Sequence, residues 1–282
     1  MSQIAHSEQA SHLQNCTVAV LGAGKMGTLI LRSLLNSGVV ECCNLRGTVK
    51  HAEHANELKD SLRISVNTSN RDAVQGADVV IVCVKPNGVS KVLQEIRPAL
   101  RPQALVISIA TGITTEAIES LLERAFPVIR AMPNTACRIG RGMTALCRGK
   151  ICDDSHLSVA KAIFGLMGKT AEVDEIHMDA VTGLSASGPA FIYIMLEALA
   201  EGGVRVGLPR EIATTFAANA ALGAASMVLT TGEHPAVLKD EVTTPAGCTI
   251  DGILELEEGN IRATLIRAVT TTTRKASQLA RS

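Results

Sequence analysis

The chain contains no tryptophan and a single tyrosine, Tyr193, and aromatic residues make up 2% of its 282 positions. Base- and sugar-stacking platforms need aromatic faces, so nucleic-acid and carbohydrate partners are not expected. Charge of one sign is also missing: 27 Lys and Arg balance 27 Asp and Glu, and no long basic run occurs. That argues against nucleic acid a second time and against anionic membrane surfaces. The eight cysteines follow no repeated spacing; Cys42 and Cys43 are adjacent, and no CxxC pair exists. With no secretory apolar segment, this composition predicts reduced thiols, a cytoplasmic location and no metal. No run of about 18 apolar residues escapes interruption by charge or glycine, so a membrane span is not expected. Residues 1–15 are polar and lack arginine, which suggests a loose tail rather than a transit peptide.

What is present begins with Cys16-Thr-Val-Ala-Val-Leu21, a short β-branched run, followed at once by Gly22-Ala-Gly24-Lys-Met-Gly27 and helix-forming sequence up to Ser37-Gly38. Strand, glycine-rich turn and helix in that order form a dinucleotide-binding signature far stronger than the bare GxGxxG pattern. Gly22 permits the tight turn, Gly24 lets a pyrophosphate approach the backbone, and Gly27 lets helix and strand pack closely. The first helical N–H groups, at Lys25, Met26 and Gly27, then face the phosphates.

The end of the second strand separates NAD from NADP, because a carboxylate about 20 residues after the first glycine binds the ribose 2′-hydroxyl. The sequence suggests that strand near Val39–Cys43. It runs out into Asn44-Leu-Arg46-Gly-Thr48-Val-Lys50 with no acid. Arg46, helped by Asn44, Thr48 or Lys50, would pair with a 2′-phosphate. NADPH is therefore favoured, with NADH as the alternative donor; the competing reading is that Arg46 and Lys50 only solvate a loop.

Three further apolar runs, Asp78–Val84, Ala104–Ala110 and Pro127–Ala131, alternate with helical patterns around 89–100 and 115–125. Such alternation implies a doubly wound, Rossmann-type α/β domain with ligand at the strands' carboxyl ends. Val84-Lys85-Pro86, Ala110-Thr111-Gly112 and Asn134-Thr135 fall at such ends and jointly outline one cofactor rim. Two more strands, Gly142–Cys147 and Thr170–Val173, bracket a helix from Asp154 to Met167. Strand signals then stop. The reading is a dinucleotide-binding domain over 1–175 and an all-helical domain over 176–282, with helices near 179–206, 209–231, 235–242 and 249–280 and a break near Gly259.

Two clusters of Ser, Thr, Gly and Pro interrupt this helical half. The first, Val181-Thr-Gly-Leu-Ser-Ala-Ser-Gly-Pro-Ala-Phe191, should break or kink its helix at Ser187-Gly188-Pro189. The second, Thr243-Thr-Pro245-Ala-Gly247-Cys-Thr249, precedes a helix start whose N–H groups suit a carboxylate. The same residues would serve equally as an ordinary capped turn. The 209–231 segment is alanine-rich and apolar around much of its circumference, so an obligate dimer with interleaved C-terminal helices is expected.

These blocks, together with Glu197–Gly203, Gly207–Arg210, His234-Pro235 and Leu238–Asp240, resemble the pyrroline-5-carboxylate reductase family in order and spacing, and the resemblance covers nearly the whole chain. It implies reduction of Δ1-pyrroline-5-carboxylate to L-proline by NAD(P)H, the last step of proline biosynthesis. It implies a homodimer through the helical domain, and a pentamer of dimers above it. The protonated imine is already electrophilic, so no strong protein acid is required. Thr249 is the expected contact to the ring nitrogen and the catalytic candidate. Thr244 and Gly247 would join it in a carboxylate cradle, with Ser187 as a further substrate contact. Ala186 and Ala246 stand where the family usually has Gly, and Cys248 where it often has Thr or Ala.

The nearest rival, a β-hydroxyacid dehydrogenase, requires a lysine at the end of the frame Gly183, Ala186, Gly188; here that position is Ile192, which accepts no proton. A non-catalytic dinucleotide sensor would keep the glycine turn but has no use for the second polar cluster.

Overall fold

The computed structural model describes residues 13–279. The chain divides into two compact units: one runs through Ala186 and takes the chain back from Thr272, and the other holds Ser187–Thr271.

The first unit contains, among the described residues, strands β1 (Val18–Leu21), β2 (Leu45–Thr48), β3 (Ser65–Asn67), β4 (Val79–Val82), β5 (Leu105–Ser108), β6 (Val128–Met132), β7 (Gly142–Arg148) and β8 (Gly168–Glu172). They form one sheet in the order β3-β2-β1-β4-β5-β6-β7-β8. Neighbours are parallel except β6 with β7. Helices α1 (Lys25–Ser37), α2 (Ala52–Leu62), α3 (Asn70–Val74), α4 (Pro86–Ile96), α5 (Thr115–Leu122), α6 (Asp154–Gly165) and the single turn α7 (Met178–Val181) accompany it.

Both faces of the sheet are covered. Val18 and Val20 of β1 pack with Ile30, Leu31 and Leu34 of α1 and Phe164 of α6, while Ala19 and Leu21 pack with Val89 and Leu93 of α4 and Ile118 of α5. Two-sided burial explains why β1 and β4 carry no polar position. Sheet order reverses between β2-β1 and β4, the switch point at which such sheets bind ligands.

Several expectations need correction. The second strand is Leu45–Thr48, not Val39–Cys43. Gly38 ends α1 in a left-handed cap, Val40 turns inward to the core, and Cys42–Asn44 form a 3-10 turn. β7 returns antiparallel against β6, next to an otherwise parallel sheet. The three-residue β3 was not foreseen. The tail expected over 1–15 lies outside the described residues up to residue 12, but Leu13 is fully buried and its carbonyl accepts from Cys16 N at 3.0 Å. In packing, the first compact unit extends through Ala186, since Met178, Val181 and Ala186 pack on Met132, Ala145 and Cys147 of β6 and β7.

The second unit holds α8 (Gly188–Arg205), α9 (Arg210–Thr231), α10 (Pro235–Glu241), α11 (Cys248–Glu258) and the first part of α12 (Ile261–Leu279). The break expected at Ser187-Gly188-Pro189 takes the form of a π-helical turn at Thr182–Ala186, after which Pro189 sits in the first turn of α8. Proline is tolerated there because its missing N–H would have no helical partner. Small residues bring α8 and α9 together: Ala200, Ala213 and Ala217 are buried, and a Cβ at Gly203 would stand 3.0 Å from that of Ala213.

Little else in this unit is covered. Phe216 is 69% exposed, Leu222 65% and Leu229 73%. The segments Glu175–Arg205 and Arg210–Thr231 are long and apolar enough to cross a membrane by length and composition alone. Apolar surface on this scale marks an interaction site, in keeping with the expected dimer. Replacing Phe216 and Leu222 together by Glu should shift the protein to monomer in sedimentation velocity; an unchanged sedimentation coefficient would place the dimer contact elsewhere.

Candidate active site

The carboxyl end of β1 leads straight into the glycine turn, which β2 holds in place. Gly22 N and Ala23 N both donate to the Thr48 carbonyl, at 3.1 and 2.7 Å, and Gly22 N also reaches the Thr48 hydroxyl at 3.2 Å. That hydroxyl in turn donates to Asn70 Oδ1 at 2.7 Å. Gly22 has φ +87°, and a Cβ there would lie 2.8 Å from Val84 Cγ1. A Cβ on Gly27 would lie 2.6 Å from the Gly22 carbonyl oxygen, so this glycine is what lets α1 close on the turn. Gly24 is different: among the described residues nothing outside its own stretch of chain lies within 4 Å of its absent Cβ, and it caps α1 without a side-chain hydrogen bond or an acid in the first turn. The N–H groups of Lys25, Met26 and Gly27 therefore open at an uncapped helix start beside bare backbone. These residues fit a dinucleotide pyrophosphate.

The ribose end differs from the sequence expectation. Arg46 lies within β2, and its guanidinium donates to the carbonyl of Ala73 at 3.3 Å and to that of Gln75. Asn44 precedes the strand at its amino end, opposite the ligand edge of a parallel sheet. The residues that follow β2 are Val49, Lys50 and His51, the last two exposed.

Along the rest of the rim, Val84 lies over Gly22, and Lys85 and Pro86 open α4 without a side-chain cap. Ala110 is buried just beyond β5, its N–H on the Ser108 hydroxyl at 3.2 Å. Asn134, two residues past β6, is engaged on both sides. Its Nδ2 donates to the Ser185 carbonyl at 3.3 Å and its Oδ1 accepts from Met143 N at 3.4 Å. Asn134 thus fastens the π-helical turn to the sheet edge.

A second set of polar residues in this unit escaped the sequence reading. Arg130 in β6 is 1% exposed and pairs with Glu175 and, at 3.2 Å, with Asp179. Glu175 also accepts from the backbone N–H and the hydroxyl of Thr115, at 2.9 and 2.8 Å. Asp179 accepts from Ser277 of α12 at 2.8 Å. Burial and the neighbouring Glu175 carboxylate push the Cys147 thiol up to about 12, so it stays protonated beside this cluster. An arginine inside an apolar strand was the available signal.

In the second unit the polar cluster forms a tight turn before α11. Gly247 N donates to the Thr244 carbonyl at 3.0 Å, and a Cβ at Gly247 would stand 2.4 Å from the Thr244 hydroxyl. Ala246 occupies left-handed backbone at φ +57°, a conformation that favours glycine. Gly247 caps α11 with no side-chain hydrogen bond, so the N–H groups of Cys248 and Thr249 open the helix unanswered by any cap. Thr244, Cys248 and Thr249 are exposed. Ser187, half-buried at the start of α8, does not cap that helix with its hydroxyl.

A family model described as pyrroline-5-carboxylate reductase dimerisation matches residues 175–279, and one described as NADP oxidoreductase, coenzyme F420-dependent, matches residues 17–112. The chain is 39% identical to a pyrroline-5-carboxylate reductase of Methanosarcina acetivorans, over 95% of its own length and 99% of the relative's. A solved pyrroline-5-carboxylate reductase from Coxiella burnetii matches with a TM-score of 0.88 at 32% identity, covering 95% of this chain and 100% of that one. A pyrroline carboxylate reductase from Plasmodium falciparum, solved with NADP bound, gives 0.86 at 26% identity over 95% and 99% of the two chains.

Gly24 isolates the ligand's approach from the stability of the turn. Because an added Cβ meets no protein atom, Gly24→Ala should leave the melting temperature in place while raising the NADPH dissociation constant by about tenfold or more, or ~1.4 kcal/mol. Unchanged affinity in a cofactor-fluorescence titration would remove the pyrophosphate from this turn.

Proposed function

The chain belongs to the pyrroline-5-carboxylate reductase family, and on that premise we propose how its residues share the work of the reaction. The reaction is the NAD(P)H-dependent reduction of Δ1-pyrroline-5-carboxylate to L-proline, the last step of proline biosynthesis. A nicotinamide dinucleotide supplies the hydride. Residues 1–175 are the dinucleotide-binding domain and 176–282 the dimerisation and substrate domain.

The reduced bond is the C=N of a ring whose nitrogen is protonated, so the carbon already carries positive character. The protein's task is then orientation and not acid catalysis. The carboxylate is assigned to the N–H groups of Cys248 and Thr249, with Thr244 and Gly247 shaping the turn before them and Ser187 as a further polar contact. Thr249 is assigned the catalytic contact: its hydroxyl accepts from the ring N–H⁺ and fixes the plane of the imine. The observation that carries this reading is the uncapped start of α11 behind a turn folded onto Thr244.

The pyrophosphate is assigned to Gly22, Gly24, Lys25, Met26 and Gly27, and the remaining cofactor rim to Val84, Lys85, Pro86, Ala110 and, through the turn it secures, Asn134. NADPH is the proposed donor over NADH. Lys50, exposed just past β2, takes the 2′-phosphate role first given to Arg46, whose guanidinium is occupied by carbonyls. The exposed faces of α8 and α9 are assigned to self-association and not to a membrane, since the dimerisation match spans both. A pentamer of dimers is the proposed assembly. A cytoplasmic location is proposed, in keeping with cysteines that follow no repeated spacing.

Loss of absorbance at 340 nm with pyrroline-5-carboxylate and NADPH tests the activity directly. Thr249→Ala should lower kcat by about 10²-fold or less, the cost of losing one orienting contact, while leaving NADPH affinity unchanged. Equal losses in both would give Thr249 a structural role. Lys50→Ala should raise KM for NADPH by about tenfold and leave KM for NADH in place, whereas Arg46→Ala should not change that ratio. The reverse pattern would return the 2′-phosphate to Arg46.

A further inference from the structure

Burying a guanidinium is costly, and an apolar side chain would pack the middle of β6 at less cost. Arg130 is nevertheless 1% exposed, with Nε buried and without a hydrogen-bond partner among the described residues. Its two carboxylate partners lie where the chain leaves the sheet: Glu175 in the 3-10 turn Glu175–His177 and Asp179 in α7. The turn at Thr182–Ala186 follows immediately. The Thr182 hydroxyl donates back to the Met178 carbonyl at 3.0 Å, and the Ser185 carbonyl is held by Asn134 at 3.3 Å. That turn is therefore gripped at both ends, by Arg130 through Asp179 and by the loop that begins two residues beyond Arg130's own strand. The other oxygen of Asp179 takes the Ser277 hydroxyl, so the returning end of α12 is tied to the same carboxylate.

We propose that Arg130 is a positioning residue for hydride transfer. By bridging Glu175 and Asp179 it fixes the Thr182–Ala186 turn against Asn134, and with it the β6 end of the rim, away from the pyrophosphate turn, where the nicotinamide half of the cofactor would be held. This role rests on the assignment of the strand ends as the cofactor rim. The pyrophosphate turn at the end of β1 is held separately, by Thr48, and does not depend on Arg130. A positioning role therefore separates rate from affinity, which a purely structural one does not.

Arg130→Lys keeps the charge but loses the fork that reaches two carboxylates at once. In the full-length enzyme, the single-turnover rate of hydride transfer from NADPH should fall on the order of tenfold to 10²-fold. The NADPH dissociation constant, read from cofactor fluorescence, should change by less than about twofold. Asp179→Asn, which leaves the Arg130–Glu175 pair intact, should show the same split to a smaller degree and serves if Arg130→Lys does not fold. Folded variants with wild-type rates, or rates and affinities that fall in proportion, overturn the positioning role and leave the reductase reading in place. A wild-type enzyme without turnover would remove the reductase reading and this role with it.

Discussion

A positive charge taken out of water must be answered locally, and in this protein that requirement falls at Arg130. Its answering groups come from positions 45 and 49 residues further along the chain. Through Thr115 and Ser277, the same two carboxylates collect the start of α5 and the end of α12. The places where the chain leaves the first unit and returns to it thus share one ionic cluster. Apolar core packing is non-directional, and alternative packings of such side chains lie close in energy. Fixed carboxylate–guanidinium geometry discriminates among them.

The glycine turn was legible because each of its glycines answers a local demand that residue type alone expresses: a left-handed angle at Gly22, close approach at Gly27, and bare backbone at Gly24. The central strands were legible because two-sided burial writes itself as an unbroken apolar run. β2 was not. Val39-Val-Glu-Cys-Cys43 has the β-branched character of a strand, whereas Leu45-Arg-Gly-Thr48 does not. The latter becomes a strand because parallel partners lie on both sides of it, and Gly47 is admitted where Leu31 presses on the sheet. Tertiary context overrode propensity, and it places Arg46 inside β2 with its guanidinium on the carbonyls of Ala73 and Gln75.

The candidate substrate cluster was legible as a location but not in its backbone. Neither the turn's fold onto Thr244 nor the left-handed angle at Ala246 can be read from residue types, because each depends on how α10 hands the chain to α11. Arg130, Glu175 and Asp179 were missed for a related reason. Their meaning lies in their proximity, and nothing in their sequence spacing expresses it.

The second unit buries three alanines and leaves Phe216, Leu222 and Leu229 facing outward. A unit of this kind gains folding free energy from self-association, so its stability is tied to a concentration-dependent equilibrium. Stability then rises with the logarithm of protein concentration and has no single value independent of it. At low abundance the same apolar helices that hold the assembly together are offered to chaperones and proteases. The amount of enzyme in a cell and the fraction of it that is folded are therefore coupled through α8 and α9.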